Sequence, residues 1–273
     1  MKKKTYKRVL TIAGSDPSGG AGIQADIKTI SACGCFATSA IVAVVDENTV
    51  GVTGVHPVPV PFVTGQIRSV LDDIGTDAVK IGMLHSSELI HAVRETLDCY
   101  PQVTDIVLDP VMVATSGDPL LQADAVETLR AVLIPRARVI TPNIPEAEIL
   151  LGSKIDSQES LPEVARELSV RCSGVSVFLK AGHLTDNRLI DVFYNAETNN
   201  TLHLESVRCN TVNTHGTGCT LSSALASFLA RGMELDSAAR AAKDYITAAI
   251  EAGAAYKIGN GHGPVHHFHD FWK

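Results

Sequence analysis

Short β-branched and apolar runs alternate along this chain with segments of helical periodicity, and that alternation leaves few architectures open. Arg8 to Ala13 is a strand-like run, Ile23 to Cys33 has a helical pattern, and Thr38 to Val45 is a continuous apolar run of the kind buried on both faces of a sheet. Pro57, Pro59 and Pro61 mark a loop into a helix over Phe62 to Asp72, followed by a strand over Ala78 to Leu84 and a helix over Ser86 to Leu97. The rhythm repeats through a strand at Asp105 to Val111, a helix at Ala123 to Leu133, a strand at Arg138 to Thr141, a helix from Glu146 and a strand at Gly174 to Lys180. Such order predicts an α/β unit around a mostly parallel sheet. Leu189 to Tyr194 and Thr201 to Arg208, turning at Asn199-Asn200, alternate like an antiparallel edge hairpin, and a long Ala-rich helix follows over Leu235 to Ala255.

Two glycine-rich stretches interrupt this pattern where strands hand over to helices. Gly14-Ser15-Asp16-Pro17-Ser18-Gly19-Gly20-Ala21-Gly22 lacks the Lys-Ser/Thr of a phosphate-binding P-loop and misses the dinucleotide spacing, so its glycines point to close backbone approach to a small ligand, with Asp26 one turn into the helix. The second, Gly216-Thr217-Gly218-Cys219, opens an amphipathic helix whose Leu221, Ala224, Leu225, Phe228 and Leu229 share one face. The first turn of a helix leaves backbone N–H groups unpartnered and carries about half a positive charge, so this turn suits an anion. The same field is expected to lower the thiol pKa of Cys219 and make it a base or nucleophile; a glycine packing turn beside a small buried hydrophobe accounts for the local pattern equally well. Asn143 and Glu146, three residues apart at a strand-to-helix junction, fit either oxygen ligands to hydrated magnesium or a helix cap with an acid in the first turn.

Composition narrows the function. A length of 273 residues with 45% apolar residues supports one large domain, and a net charge of -7 argues against nucleic acid as the main partner. The basic start within residues 1–7, Lys2-Lys3-Lys4 and Lys7, reads as a solvated tail, and Gly14 to Pro17 end the apolar run after it too early for a signal peptide. No membrane-length apolar stretch appears, and the six cysteines show neither a disulfide framework nor zinc spacing, so a cytoplasmic protein is expected. The closing segment with His262, His266, His267 and His269 lacks a Cys or acidic partner at metal-ligand spacing apart from Asp270, and Val265, Phe268, Phe271 and Trp272 are expected to pack inward.

Taken in order, Gly14 to Asp26, Lys80-Ile81-Gly82-Met83-Leu84, Leu108-Asp109-Pro110-Val111-Met112, Thr141 to Glu148, Asn213 to Thr220 and Gly263 to His269 closely resemble the hydroxymethylpyrimidine and phosphomethylpyrimidine kinases of the ribokinase-like superfamily, over nearly the whole chain. The resemblance implies a three-layer α/β/α fold over residues 1–273, without a large lid domain, that moves the γ-phosphoryl of ATP to 4-amino-5-hydroxymethyl-2-methylpyrimidine and then to its monophosphate, both steps feeding thiamine synthesis. It also implies roles. Cys219 takes the base position, the N–H groups of Gly216, Thr217 and Gly218 form the anion hole, Lys180 approaches the nucleotide phosphates together with Asn143, and Asp109 and Glu146 organise Mg2+. The pyrimidine would be held by Gly14, Ala21, Asp26, Val45, Met83, Val111 and Glu47.

At Glu47 relatives carry glutamine, and at Asn260 often lysine, so acceptor recognition and nucleotide handling are the parts in question. An ionised Glu only accepts hydrogen bonds, whereas a Gln amide also donates. This keeps a pyridoxal or pyridoxine kinase of the same superfamily as an alternative, and a non-catalytic pyrimidine sensor as a second. A cysteine hydrolase using Cys219 with His215 lacks an acid placed by sequence to orient the histidine. The edge hairpin and the absence of an inserted lid fit a homodimer.

Overall fold

The computed structural model describes residues 4–112, 123–184 and 187–272; Lys2 and Lys3 of the basic start fall outside it. In chain order, β1 (Arg8–Ala13), α1 (Gly22–Ala32), β2 (Phe36–Ile41), β3 (Ala43–Asn48), β4 (Gly51–Pro57), α2 (Val60–Ser69), β5 (Ala78–Ile81) and α3 (Ser87–Asp98) make the first half. The second half runs β6 (Ile106–Leu108), α4 (Ala123–Thr128), β7 (Val139–Ile140), α5 (Ile144–Leu151), α6 (Leu161–Arg171), β8 (Ser176–Leu179), β9 (Arg188–Asn195), β10 (Asn200–Val207), α7 (Thr217–Ala230) and α8 (Leu235–Gly253). An eight-stranded sheet has the order β10-β9-β8-β7-β6-β5-β1-β2. Its strands are parallel from β8 to β2, and β9 and β10 complete one edge as the expected antiparallel hairpin.

Apolar residues on both faces of the strands build two cores. Val9, Ala78, Val107, Val139 and Phe178 pack against α7 and α8, while Leu10, Val79, Leu108, Ile140 and Val177, their neighbours in sequence, pack against helices of the other layer. Side chains alternate across a strand, so a run apolar at every position must be covered twice, which gives the three layers. Strand order reverses beside β1, whose neighbours are β2 on one side and β5 on the other. Open sheets of this kind bind ligands beyond the carboxyl ends of their strands at such a reversal. No helix among the described residues is long and apolar enough to cross a membrane.

Two local expectations are corrected, and two elements appear where the sequence reading placed none. The apolar run Thr38 to Val45 is not one strand: it breaks at Val42, and β3 leaves the sheet to pair with β4 as a separate two-stranded flap. Val42 and Ala43 stay buried across the break while Val44 is 53% exposed, so apolar composition runs on where the strand does not. β4, with two glycines and a terminal proline, gave little strand signal. Helix α6, missed by periodicity, carries Pro162 in its first turn, where a missing N–H costs nothing. At the C-terminus Val265, His266 and His267 are buried instead of Phe271 and Trp272, which are 63% and 64% exposed.

Candidate active site

A cleft of about 720 Å³ opens beyond the carboxyl ends of β1, β5, β6, β7 and β8 and is closed on one side by the flap. Its phosphate-like end is the start of α7. Gly216 precedes this helix in the left-handed conformation (φ 77°) and no side chain caps it. Glycine is required twice over: a β-carbon there would sit 1.7 Å from the Gly20 carbonyl oxygen, so the two glycine-rich loops touch backbone to backbone. The Thr217 N–H donates to the Thr214 carbonyl at 3.2 Å, so of the three amides assigned to the anion hole this one is occupied by its own turn. Among the described residues the N–H groups of Gly218 and Cys219 find no protein acceptor and remain for an anion.

Beneath these amides lie charges paired inside the protein. Lys180, at the end of β8, donates to Asp109 Oδ1 at 3.0 Å and approaches Glu146 Oε2 at 3.9 Å, and Thr141 donates to the same Asp109 oxygen at 2.8 Å. Glu146 and Asn143 form a complete capping box at the start of α5, with reciprocal bonds of 2.8 and 2.9 Å, so the helix-cap reading of this pair is realised. Burial raises the Glu146 carboxyl to about 7, with Lys180 opposing and Asp109 adding to the rise. Burial alone would depress the Lys180 ammonium, yet Asp109 and Glu146 hold it above its ordinary range.

Cys219 lines the cleft in the first turn of α7, but its thiol is not activated as the helix field suggested. Burial pushes it up to about 11; Lys80 and the Gly22 N–H pull it down, and Asp26 and Asp109 add to the rise. The expectation of a depressed thiol is therefore corrected: burial and two nearby carboxylates outweigh the helix terminus.

Asp26 is corrected as well. It is fully buried below the cleft floor, held by both oxygens to Lys80 Nζ at 2.9 Å and by Thr11 and Ser223 at 2.6 and 2.7 Å, so it touches the cleft only through Lys80. Lys80 lines the cleft and was not singled out from sequence; a lysine inside a short strand between two apolar residues was the available signal, since a buried lysine needs a partner. Asp26 keeps it charged against burial.

Gly14, Ala21, Val45, Met83 and Val111 all line the cleft, as does Glu47, which reaches in from the flap. Glu47 Oε1 lies 3.9 Å from His215 Nε2, and that nitrogen lies 2.8 Å from Asp16 Oδ2. Burial would raise Asp16, but His215, Ser18 and the Ala21 N–H hold it down to about 2. Burial would lower His215, which Asp16 and Glu47 raise instead. Asp16, Glu47 and His215 have ligand atoms within 4.8 Å of one another; Asp16 Oδ2 meets Ser18 Oγ, His215 and the amides of Gly20 and Ala21, and its Oδ1 accepts from the Ser18 N–H. His215 thus has an orienting acid that sequence did not reveal, although the pair is directed away from a Cys–His hydrolase: its Nε2 bonds Asp16, and the sulfur of Cys219 receives the Gly22 N–H. Asn260 lies apart from this cleft, its N–H held by Thr49 at the flap tip.

Comparison with known proteins agrees with this geometry. The family model described as phosphomethylpyrimidine kinase matches residues 16–266. A hydroxymethylpyrimidine/phosphomethylpyrimidine kinase of Rhizobium meliloti is 47% identical over 266 residues, covering 97% of this chain and 98% of that protein. A crystal structure of phosphomethylpyrimidine kinase from Clostridium difficile 630 superposes with TM-score 0.78 at 42% identity, covering 89% of this chain and 99% of the other. An ADP complex of Bacillus subtilis pyridoxal kinase superposes with TM-score 0.86 at 36% identity, covering 96% and 98%. With its ribokinase-like fold and a family match across nearly all of its length, this chain belongs to the phosphomethylpyrimidine kinase family.

Proposed function

We propose that the protein transfers the γ-phosphoryl group of ATP to the hydroxymethyl oxygen of 4-amino-5-hydroxymethyl-2-methylpyrimidine and then to the resulting monophosphate, in thiamine biosynthesis. The observation that carries the reading is the open start of α7: two unpartnered amides stand beside Cys219 and face the Lys180–Asp109–Glu146 group across one cleft. Phosphoryl transfer has a loose, charge-spread transition state, so positioning and neutralisation do most of the work. The Gly218 and Cys219 amides and Lys180 supply positive charge to the migrating group, and the sulfur of Cys219, once ionised, receives the proton of the acceptor alcohol.

The donor set fits a divalent cation. Asp109 and Glu146 are 2% and 4% exposed and converge on one ammonium, and the buried Glu146 carboxyl, raised to about 7, has a proton to give up to an arriving cation. They and Asn143 would hold Mg2+ directly or through water, where it neutralises nucleotide phosphate charge. A homodimer belongs to the same reading, and sedimentation equilibrium tests it.

A second reading, phosphorylation of pyridoxal, is favoured by the similarity to the Bacillus subtilis pyridoxal kinase and by a carboxylate at Glu47 able to accept from a pyridinium N–H. Turnover on the pyrimidine, its monophosphate and pyridoxal at equal concentration, followed as new phosphate ester, decides between them. The first reading expects the pyrimidines to be preferred, and exclusive turnover of pyridoxal would overturn it.

A further inference from the structure

Strand β8 delivers Lys180 to the cleft, yet its regular pairing with β9 stops one residue short of that lysine, at Leu179 opposite Val192. Lys180 itself leans on the other neighbour: its N–H donates to the Pro142 carbonyl at 3.0 Å, and its backbone bridges to Asn143. On the β9 side the next amide, that of Ala181, donates to Asp191 Oδ1 at 2.7 Å. A side chain thus takes over where the backbone ladder ends, and Lys180 stands between two anchored amides.

Asp191 is an acid between Ile190 and Val192 in β9 and is 7% exposed, and a buried carboxylate needs a partner. Lys243 of α8, also 7% exposed, supplies it: its Nζ donates to Asp191 Oδ2 at 2.7 Å. The two oxygens are divided, one for Lys243 and one for the Ala181 amide, so the ion pair holds the carboxylate in the orientation that amide requires. A pair that served stability alone could close on itself, with both oxygens on the ammonium, as Asp26 does with Lys80. Here the acid instead gives a charge-assisted bond to the backbone right after the lysine of the phosphate end.

We propose that Asp191 is a positioning residue for Lys180: clamped by Lys243, it fixes the Ala181 amide and so aims the ammonium of the preceding residue at the migrating phosphoryl group. This inference rests on the phosphoryl-transfer reading above, whichever acceptor is used. Misplacing a reacting or stabilising group by about 1 Å costs about a hundredfold in rate, so loss of the anchor should lower kcat while acceptor KM stays within about twofold.

The test compares two double variants that both lack the buried ion pair. Asp191→Asn with Lys243→Met keeps an oxygen for the Ala181 N–H, and Asp191→Leu with Lys243→Met does not. Turnover and KM are measured on the hydroxymethylpyrimidine and on pyridoxal, and both double variants are repeated with Lys180→Met added, under single-turnover conditions. The expected result is a kcat about tenfold to a hundredfold lower with Asp191→Leu than with Asp191→Asn, a difference that disappears once Lys180→Met is present. Should Asp191→Leu fail to give folded protein by circular dichroism, Asp191→Val, with the β-branched shape that suits a strand, takes its place. Equal kcat in the two double variants, or a difference that persists undiminished with Lys180→Met, overturns the inference alone. Absence of a phosphate ester from the wild type on either acceptor overturns the phosphoryl-transfer reading and this inference with it.

Discussion

Cys219 and Glu146 show how far burial decides the chemistry of individual groups. At both positions removal from water outweighs what sequence suggested: a helix terminus that should acidify a thiol loses to burial beside Asp26 and Asp109, and an acid beside a lysine is raised to about 7. The glycine turn and the Asn143–Glu146 spacing were legible in sequence because local backbone demands write them there, whereas the cleft-lining positions Val45, Glu47, Met83 and Val111 came only from the resemblance to the family. The Lys80–Asp26 and Asp16–His215 pairs were not, since their partners are 54 and 199 residues apart and only the fold brings them together. A stability prediction follows from Glu146. Its folded pKa of about 7 exceeds its ordinary 4.5, so the native state keeps a proton that the unfolded chain has released between these values. This contribution is fully present below pH 4.5 and is lost as pH rises through 7. In the nucleotide-free protein, Glu146→Gln should flatten that part of the stability profile, removing about 3 kcal/mol of pH-dependent loss at most. Urea unfolding of both proteins at several pH values measures the difference.

Among the elements, the flap was the least legible and is the one that carries Glu47. Its tip is clasped by the C-terminal loop: the Thr49 carbonyl accepts from the His262 N–H at 2.8 Å, and Thr49 Oγ1 accepts from the N–H groups of Asn260 and Gly261 at 3.2 Å. The same loop reaches the phosphate turn, where the His215 N–H donates to the Gly263 carbonyl at 3.0 Å. One loop thus sets the flap beside the cleft and supports the turn before α7. A β-carbon at Gly261 would lie 1.9 Å from the Thr49 carbonyl oxygen, so Gly261→Ala must push the flap tip away. The expected outcome is an acceptor KM raised about tenfold, equivalent to about 1.4 kcal/mol, with the KM for ATP changed much less. Equal losses on both substrates would show that the loop does not separate the two ends of the cleft.

For the whole molecule, the alternation of apolar strands and helices was enough to predict the layers, because a parallel sheet covered on both faces has few alternatives. It was not enough to place the flap, whose strands bury one face only in part. The cleft floor joins α1, β5 and α7 through the Lys80–Asp26 pair and Ser223, all fully buried. Removing one partner of such a pair strands the other charge and costs about 3–5 kcal/mol. Lys80→Met should lower global stability by that amount in denaturant titrations, and a loss within about 0.5 kcal/mol of zero would show that water reaches Asp26.

The account turns on the open start of α7 and the sulfur beside it, and single-turnover phosphoryl transfer to the hydroxymethylpyrimidine by wild type and Cys219→Ser, with nucleotide affinity measured alongside, tests it most directly. A thiol raised by burial must ionise to accept a proton, so the wild-type rate should climb with pH above neutrality. Cys219→Ser should lose roughly a hundredfold or more of that rate, together with its pH dependence, while binding ATP as before. An unchanged rate with the same pH profile in Cys219→Ser would contradict the account.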